Sequence, residues 1–298
     1  MKIVFFGTTE FGIPALNALL NSKHEVLSVV TSVGKAGGRG LKLNESPIKK
    51  FALTKGIKIL QPKSLKDPLF LEDLKLLNPD MNVVIAFRML PEVVWNMPVL
   101  GTINIHASLL PDYRGASPIN TCIINGENQT GLTCFKLKHE IDTGDVISQI
   151  KVDINTNETF GELHDRLSDL SSNFLLESIE KYINGEVLLT QGISSKIAKK
   201  IYLEDCLIDF NKSCVEITNL VRGLSPNPCA YTLLNGKKIK IFSCDYELIN
   251  HKLEIGSIIH DKKTLKIACK DGLISLKDIQ LEGKKRMDIK SFIIGFKF

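Results

Sequence analysis

Short apolar stretches alternate with segments of helical character through the first half of this 298-residue chain. The apolar stretches predict β-strands at 2–6, 25–31, 57–60, 81–87 and 102–106. Apolar periodicity up to residue 20, and again at about 46–55, predicts helices between strands. Because strands that alternate with helices pair in parallel through right-handed crossovers, we predict an α/β fold with a doubly wound, mostly parallel sheet.

The fifth predicted strand ends in two polar side chains, Asn104 and His106. Side chains two residues apart lie on the same face of a strand. The carboxyl ends of strands in such sheets are where ligands bind. An amide and an imidazole side by side suit the binding of an oxyanion or the transfer of a proton. A loop with Pro111 and Gly115 follows, and Ser117 with Pro118 predicts the start of the next helix.

Two further loops lie at the same predicted edge of the sheet. The loop at 32–44 carries Lys35, Arg39 and Lys42 and no acidic residue, which favours binding of phosphate or nucleic acid over a merely flexible surface loop. Arg88 follows the fourth strand and is interpreted either as a ligand contact or as a surface charge. The turn after the first strand matches neither the dinucleotide fingerprint nor a P-loop.

A turn with two aspartates, Asp142 and Asp145, joins predicted strands at 131–137 and 146–152. Aspartates in turns usually accept hydrogen bonds from their own backbone. A site with His106, however, needs a carboxylate to orient the imidazole and accept a proton. The spacing of residues leaves both aspartates open for this role.

The second half of the chain begins with apolar residues at helical spacing between Phe160 and Ile183. We predict a first domain at 1–188, a linker at 189–204 and a second domain at 205–298, with a helix at 208–220. Five short strands, at 230–234, 238–244, 256–260, 265–268 and 273–279, predict a small β-barrel of the oligonucleotide-binding type.

The net positive charge of the chain lies in the second predicted domain. Residues 1–204 carry 22 Lys and Arg against 22 Asp and Glu. Residues 205–298 carry 16 against 11 and so hold the whole net charge of +5. A basic domain after a neutral one predicts contact with a polyanion, although a solvated lysine-rich face gives the same composition.

The seven cysteines form no CxxC pair, and we interpret them as reduced thiols of a cytoplasmic protein. No apolar run approaches the roughly 18 residues of a membrane span, and no metal-ligand spacing is present. We therefore expect neither a membrane nor a metal ion among the partners.

Several motifs carry a resemblance to a known family over nearly the whole chain. They are Phe6-Gly7-Thr8 with Phe11, the GGRG at 37–40 before Ser46-Pro47, Asn104-x-His106-x-Ser108-Leu109-Leu110-Pro111, Tyr113-Arg114-Gly115-Ala116-x-Pro118-Ile119, Ile141-Asp142-Thr143-Gly144, Ser225-Pro226-x-Pro228 and the Gly283-Lys284-Lys285-Arg286-Met287 run. With these motifs the chain resembles the methionyl-tRNA formyltransferases, a branch of the folate-dependent formyltransferases with a Rossmann-like first domain.

The resemblance implies transfer of a formyl group from 10-formyltetrahydrofolate, as co-substrate, to the amino group of initiator methionyl-tRNA, by a protein expected to be a monomer. The implied catalytic residues are Asn104, His106 and Asp142, so the resemblance selects Asp142 over Asp145. The implied folate-binding residues are Ser108, Leu109, Leu110 and Pro111 with Phe87, Arg88 and Met89. The implied tRNA-binding residues are Lys35, Arg39 and Lys42.

Three alternatives share parts of this pattern. A sugar-nucleotide N-formyltransferase uses the same folate donor but needs no basic barrel. A catalytically silent RNA-binding protein would not need Asn104, His106 and Asp142. A 10-formyltetrahydrofolate hydrolase, with water as acceptor, differs in sequence only through the second domain.

Overall fold

The computed structural model describes residues 1–37 and 42–296. Contacts within the chain group it into two compact units. Unit 1 comprises Met1–Gly115, Gly131–Val152 and His164–Ile197, and unit 2 comprises Ala116–Thr130, Asp153–Leu163 and Ala198–Phe298. The predicted linear division at 188 and 204 stays a prediction, since the units are built from interleaved segments.

The strands in chain order are β1 Lys2–Gly7, β2 Glu25–Val30, β3 Lys35–Gly37, β4 Lys42–Asn44, β5 Ile59–Leu60, β6 Met81–Ile85, β7 Thr102–His106, β8 Arg114–Gly115, β9 Gln129–Lys136, β10 Val146–Asp153, β11 Ile197–Ala198, β12 Ala230–Leu234, β13 Lys237–Leu248, β14 Ile258–His260, β15 Leu265–Cys269, β16 Gly272–Leu281 and β17 Met287–Asp288. The helices are α1 Ile13–Leu20, α2 Pro47–Thr54, α3 Pro68–Leu77, α4 Glu92–Trp95, α5 Pro118–Ile124, α6 Phe160–Ile183, α7 Cys214–Leu224 and α8 Ile289–Gly295.

The main sheet of unit 1 has seven strands in the order β10-β9-β7-β6-β1-β2-β5. Four parallel pairings join the five strands β5, β2, β1, β6 and β7, and they confirm the doubly wound prediction. Strand β9 runs antiparallel to β7. Every residue of β1 after Lys2 is buried. Because successive side chains point to opposite faces, both faces of the sheet are covered here, as expected for a sheet with helices on both sides.

Helices α3 and α4 lie in parts of the chain for which the sequence predicted no element. Helix α3 has a recognisable start, since the Asp67 side chain accepts a hydrogen bond from the backbone of Leu69 and Pro68 follows it. The basic loop at 32–44 contains an antiparallel hairpin, β3 with β4.

Unit 2 is built around an antiparallel sheet with the path β12-β13-β16-β15-β14, and β17 pairs with β16. The register of β13 on β16 shifts at Ile241/Ser243 and again at Ser243/Cys244. Such irregularities bend and twist a strand, which fits the curl of a half-barrel. The five predicted strands are confirmed, and β17 is a sixth that the sequence did not reveal.

Helix α7 packs its apolar face on this sheet through Ile217, Val221 and Leu224, which are buried with Ile239 and Ile274. The predicted helix at 208–220 is displaced in the structure to Cys214–Leu224. Ser213 starts it, because its side chain and that of Glu216 cap each other's backbone N–H groups. Among the described residues, no helix is long and apolar enough to cross a membrane.

Candidate active site

Strand β7 has the predicted bounds and carries Asn104 and His106 at its carboxyl end. Strand β6 pairs with it on one side and β9 on the other, so both side chains start from a fixed backbone in the middle of the sheet. The side chain of Asn104 is half-buried, and it makes no hydrogen bond to the part of the chain that the structure describes. Its amide is therefore free to donate to a bound molecule.

Both ring nitrogens of the buried His106 face oxygen atoms. Nε2 lies 2.8 Å from the backbone oxygen of Tyr113, and Nδ1 lies 3.8 Å from Oδ2 of Asp142. A carbonyl oxygen only accepts, so Nε2 carries a hydrogen in this arrangement. Nδ1 then carries one as well only in the doubly protonated ring, for which the Asp142 carboxylate is the matching partner.

The structure brings Asp142, and not Asp145, to His106. Asp142 has a left-handed backbone with φ 53°, and its Oδ2 accepts a hydrogen bond of 2.9 Å from the backbone N–H of Gly115. Asp145 instead forms an ion pair of 2.9 Å with Lys138. The geometry agrees with the choice that the family resemblance implied.

Gly144 lets this aspartate turn approach β9. A Cβ atom at position 144 would lie 1.6 Å from the backbone oxygen of Lys136. No side chain fits there without moving the turn, so the glycine is required by the close approach of two backbones.

The segment 108–111, predicted to bind folate, is largely built into the scaffold. The side chains of Ser108 and Leu110 are buried, and the Ser108 hydroxyl donates to the backbone oxygen of Asp112. Thr133 donates to the backbone oxygen of Ser108, and Gln149 donates to that of Leu110. Leu109 and Pro111 are only partly buried, and the Leu110–Pro111 peptide bond is cis.

Sequence reasoning did not identify the supporting role of Thr133 and Gln149. Both are polar residues on the strands β9 and β10. Their side chains are joined by a hydrogen bond of 2.9 Å. A polar side chain inside a mostly apolar strand is the signal that marks such positions.

Of the predicted residues, Arg88 and Met89 line a cleft of about 790 Å³, whereas the Phe87 ring packs edge-on against Phe6. Lys63, Lys66, Trp95 and His139 also line the cleft. The Arg88 guanidinium donates to the backbone oxygens of Pro62 and Lys63, at 2.6 and 3.0 Å. Arg88 therefore ties two loops together as well as contributing charge to the cleft.

Of the predicted tRNA-binding residues, Arg39 lies outside the described residues. Lys35 and Lys42 belong to the hairpin, where Lys42 is the register partner of Gly37 and Lys35 that of Asn44.

Comparison with known proteins identifies the family. A family model described as formyl transferase matches residues 1–179, and one described as formyl transferase, C-terminal domain, matches residues 200–297. The chain is 44% identical over 305 residues to the methionyl-tRNA formyltransferase of Flavobacterium johnsoniae, covering 100% of this chain and 97% of that protein. The same-named protein of Azobacteroides pseudotrichonymphae is 45% identical over 309 residues, with 99% and 95% covered.

The chain belongs to the methionyl-tRNA formyltransferase family. Solved structures show the fold of that family and of its neighbours. The methionyl-tRNA formyltransferase from Clostridium thermocellum superposes with a TM-score of 0.58 at 21% identity, covering 90% of this chain and 99% of that one. An N-formyltransferase from Helicobacter canadensis gives 0.69 at 20% identity, covering 96% and 100%. At these identities the likeness shows the shared fold alone.

One cluster of three possible metal ligands lies far in sequence from Asn104, His106 and Asp142. Among the described residues, the Cys214 and Cys269 thiols and the Asp271 carboxylate lie within 4.8 Å of one another. Asp271 already accepts a 2.7 Å hydrogen bond from the backbone N–H of Cys214, and the two sulfur atoms are 3.2 Å apart. All seven cysteines are free thiols.

Proposed function

We propose that this protein transfers the formyl group of 10-formyltetrahydrofolate to the α-amino group of initiator methionyl-tRNA. The free Asn104 amide beside the His106–Asp142 pair, at the carboxyl end of β7, is the observation that carries the chemistry. The choice of acceptor is supported by identity of more than 40%, over the full chain, to relatives named methionyl-tRNA formyltransferase.

In the first step the neutral amine attacks the formyl carbon, and the formyl oxygen becomes an oxyanion. The Asn104 amide donates a hydrogen bond to that oxyanion, an interaction typically worth about 3–4 kcal/mol. For His106 to donate as well, its Nε2–H must leave the backbone oxygen of Tyr113, which it contacts in this structure. We expect substrate binding to drive that exchange.

In the second step the bond between the formyl carbon and the departing folate nitrogen breaks. The amine has lost one proton, and that folate nitrogen must gain one. Asp142, 3.8 Å from the His106 ring, accepts the proton and returns it to the departing nitrogen, while the backbone N–H of Gly115 holds the carboxylate in place. Proton transfer of this kind contributes about 10²–10⁴-fold to a rate.

The cleft beside Met89 and Trp95 matches the chemistry of the folate donor. A folate has a flat, largely apolar ring system and a carboxylate tail. The cleft combines apolar walls with Lys63, Lys66 and Arg88, against one acidic residue, Glu92. Pockets of this volume and mixed character bind small molecules, with a few polar groups fixing the orientation. We propose that Phe87, Arg88, Met89, Leu109 and Pro111 contact the folate directly, while Ser108 and Leu110 hold its binding loop in shape.

We propose that residues 205–298, which carry the net charge of +5, bind the tRNA backbone, and that Lys35, Arg39 and Lys42 reach the acceptor end. No metal ion takes part in the proposed steps.

The decisive experiment offers formyl acceptors in parallel. Purified protein with 10-formyltetrahydrofolate receives charged initiator methionyl-tRNA, an amino-sugar nucleotide, or neither. We expect transfer to the tRNA alone. Transfer to the sugar alone would contradict the proposed acceptor but keep the chemistry, and folate turnover without an acceptor would indicate a hydrolase.

A further inference from the structure

The segment between the two matched family models contacts both partners of His106. It comprises residues 191–196, which we call the brace, and it lies in the stretch from 180 to 199 that neither model covers. The sequence predicted it as part of a linker. In the structure it belongs to unit 1 and is tied to that unit by side-chain and backbone hydrogen bonds.

On one side of His106 the brace holds the turn that carries Asp142. The Gln191 amide donates to the backbone oxygens of Asp142, at 3.0 Å, and Gly144, at 2.6 Å. Its oxygen accepts from Nε and Nη2 of Arg114, at 3.1 and 2.7 Å. Arg114 also donates to the backbone oxygens of Asp142, at 3.0 Å, and Gly192, at 3.2 Å.

On the other side the brace holds the loop that supplies the backbone oxygen of Tyr113. The backbone N–H of Tyr113 donates to the oxygen of Lys196 at 2.7 Å. The Ser194 hydroxyl donates to the neighbouring Asp112 carboxylate at 2.5 Å. The two residues whose oxygen atoms face the His106 ring, Tyr113 and Asp142, are thus both bonded through their backbones to the same short segment.

We propose that the brace positions the His106–Asp142 pair, with Gln191 as the principal positioning residue; this rests on the proposed function. The left-handed backbone of Asp142 is one that residues other than glycine rarely adopt, so it needs external hydrogen bonds to persist. Gln191 and Arg114 both donate hydrogen bonds to the backbone oxygen of Asp142. A displacement of about 1 Å at a reacting group lowers a rate by about 10²-fold.

Gln191→Glu isolates this role. The variant keeps an oxygen to accept from Arg114 but loses the amide that donates to Asp142 and Gly144. We expect kcat to fall by about 10-fold to 100-fold, while KM for folate and for tRNA stays within about 3-fold. Gln129→Glu is the matched control, because the exposed Gln129 side chain bonds, among the described residues, only that of Asp153; its kcat should be unchanged.

A double-mutant cycle with Asp142→Asn separates positioning from general damage. If Gln191 acts through the Asp142 carboxylate, Gln191→Glu lowers the rate of the wild type but has little further effect on Asp142→Asn. Equal fold losses in both backgrounds, or no loss in the wild-type background, would overturn the proposal.

Amide hydrogen exchange gives a readout that does not depend on activity. In Gln191→Glu the backbone N–H groups at 140–145 should exchange at least 10-fold faster than in the wild type, with unchanged exchange in β1 and β6. Unchanged exchange at 140–145 counts against the brace even in an active enzyme. Absence of formyl transfer by the wild type with faster exchange in the variant would refute the proposed function but leave the brace intact.

Discussion

The half-buried amide of Asn104 has no protein partner among the described residues, so its removal leaves no unsatisfied group behind. We expect Asn104→Ala to lower kcat by about 10²–10³-fold, since one oxyanion donor is lost, with the melting temperature unchanged. Steady-state formyl transfer and a thermal melt check this. Asn17→Ala, on helix α1, is the control and should retain full activity. Wild-type kcat in Asn104→Ala would remove Asn104 from the mechanism.

Gly144 is a second position where a small substitution should have a large effect. In Gly144→Ala the new methyl group would meet the backbone oxygen of Lys136 at 1.6 Å, so the turn must move. We expect a loss of stability of about 1–3 kcal/mol and a fall in kcat, because Asp142 moves with the turn. Urea unfolding measures the first and formyl transfer the second.

Gly192→Ala serves as the comparison for this substitution. An added Cβ at 192 meets open space, so stability and turnover should both stay within error of the wild type. A Gly144→Ala variant as stable as Gly192→Ala would show that the turn tolerates displacement.

At the level of elements, the sequence predicts those strands and helices whose bounds depend on neighbouring residues alone. Strand β7 was predicted with its observed bounds, because its β-branched residues end at two polar ones. The choice between Asp142 and Asp145 was not available from spacing, since it depends on which residue the turn between β9 and β10 brings to His106. The sequence did not reveal the contacts of the brace, because they are made with residues distant in sequence and single hydrogen-bonding side chains such as Gln191 leave no periodic signal.

The start of helix α7 depends on one capping box, formed by Ser213 and Glu216. Glu216 accepts hydrogen bonds from the backbone and hydroxyl of Ser213, and these hold the pKa of Glu216 below its usual value. Because the folded-state pKa is lowered, the stabilisation is present above the unfolded-state pKa of about 4.3 and is lost as pH falls through the folded-state value. Glu216→Gln should therefore melt below the wild type at pH 7, and the two melting temperatures should converge at acid pH.

Thermal melts between neutral and acid pH test this expectation. Glu254→Gln is the control, because the Glu254 side chain is exposed and makes no hydrogen bond to a described residue. Its melting temperature should track the wild type at every pH. A difference between Glu216→Gln and the wild type that persists unchanged into acid would show that the ionised carboxylate does not stabilise the helix start.

Across the whole molecule, charge and chemistry are separated along the chain. Asn104, His106 and Asp142 lie within residues 1–204, whose charges balance, whereas the +5 excess lies in residues 205–298. Composition alone was enough to predict this separation, because it needs only a count of charged residues. It could not identify the lysines that touch RNA, since a solvated surface and a binding surface have the same composition.

The proposed tRNA contacts make a prediction about salt. Each phosphate contact that Lys or Arg supplies changes the slope of log affinity against log salt by about −0.7 to −0.9. We expect KM for methionyl-tRNA to rise steeply with KCl while KM for folate changes little. Lys284 and Lys285 are exposed in unit 2 and form no ion pair with a described residue, so they are candidates for such contacts.

The paired variant Lys284→Gln/Lys285→Gln should raise KM for tRNA and reduce the magnitude of the salt slope by about 1.4–1.8, with kcat unchanged. Lys55→Gln/Lys58→Gln removes the same charge from exposed positions of unit 1 and should leave the slope unaltered. Equal slopes in both paired variants would place the RNA contacts on other lysines of unit 2. A KM for tRNA that does not depend on salt in the wild type would contradict electrostatic binding by this unit altogether, because a polyanion cannot be bound by phosphate contacts without releasing its counterions.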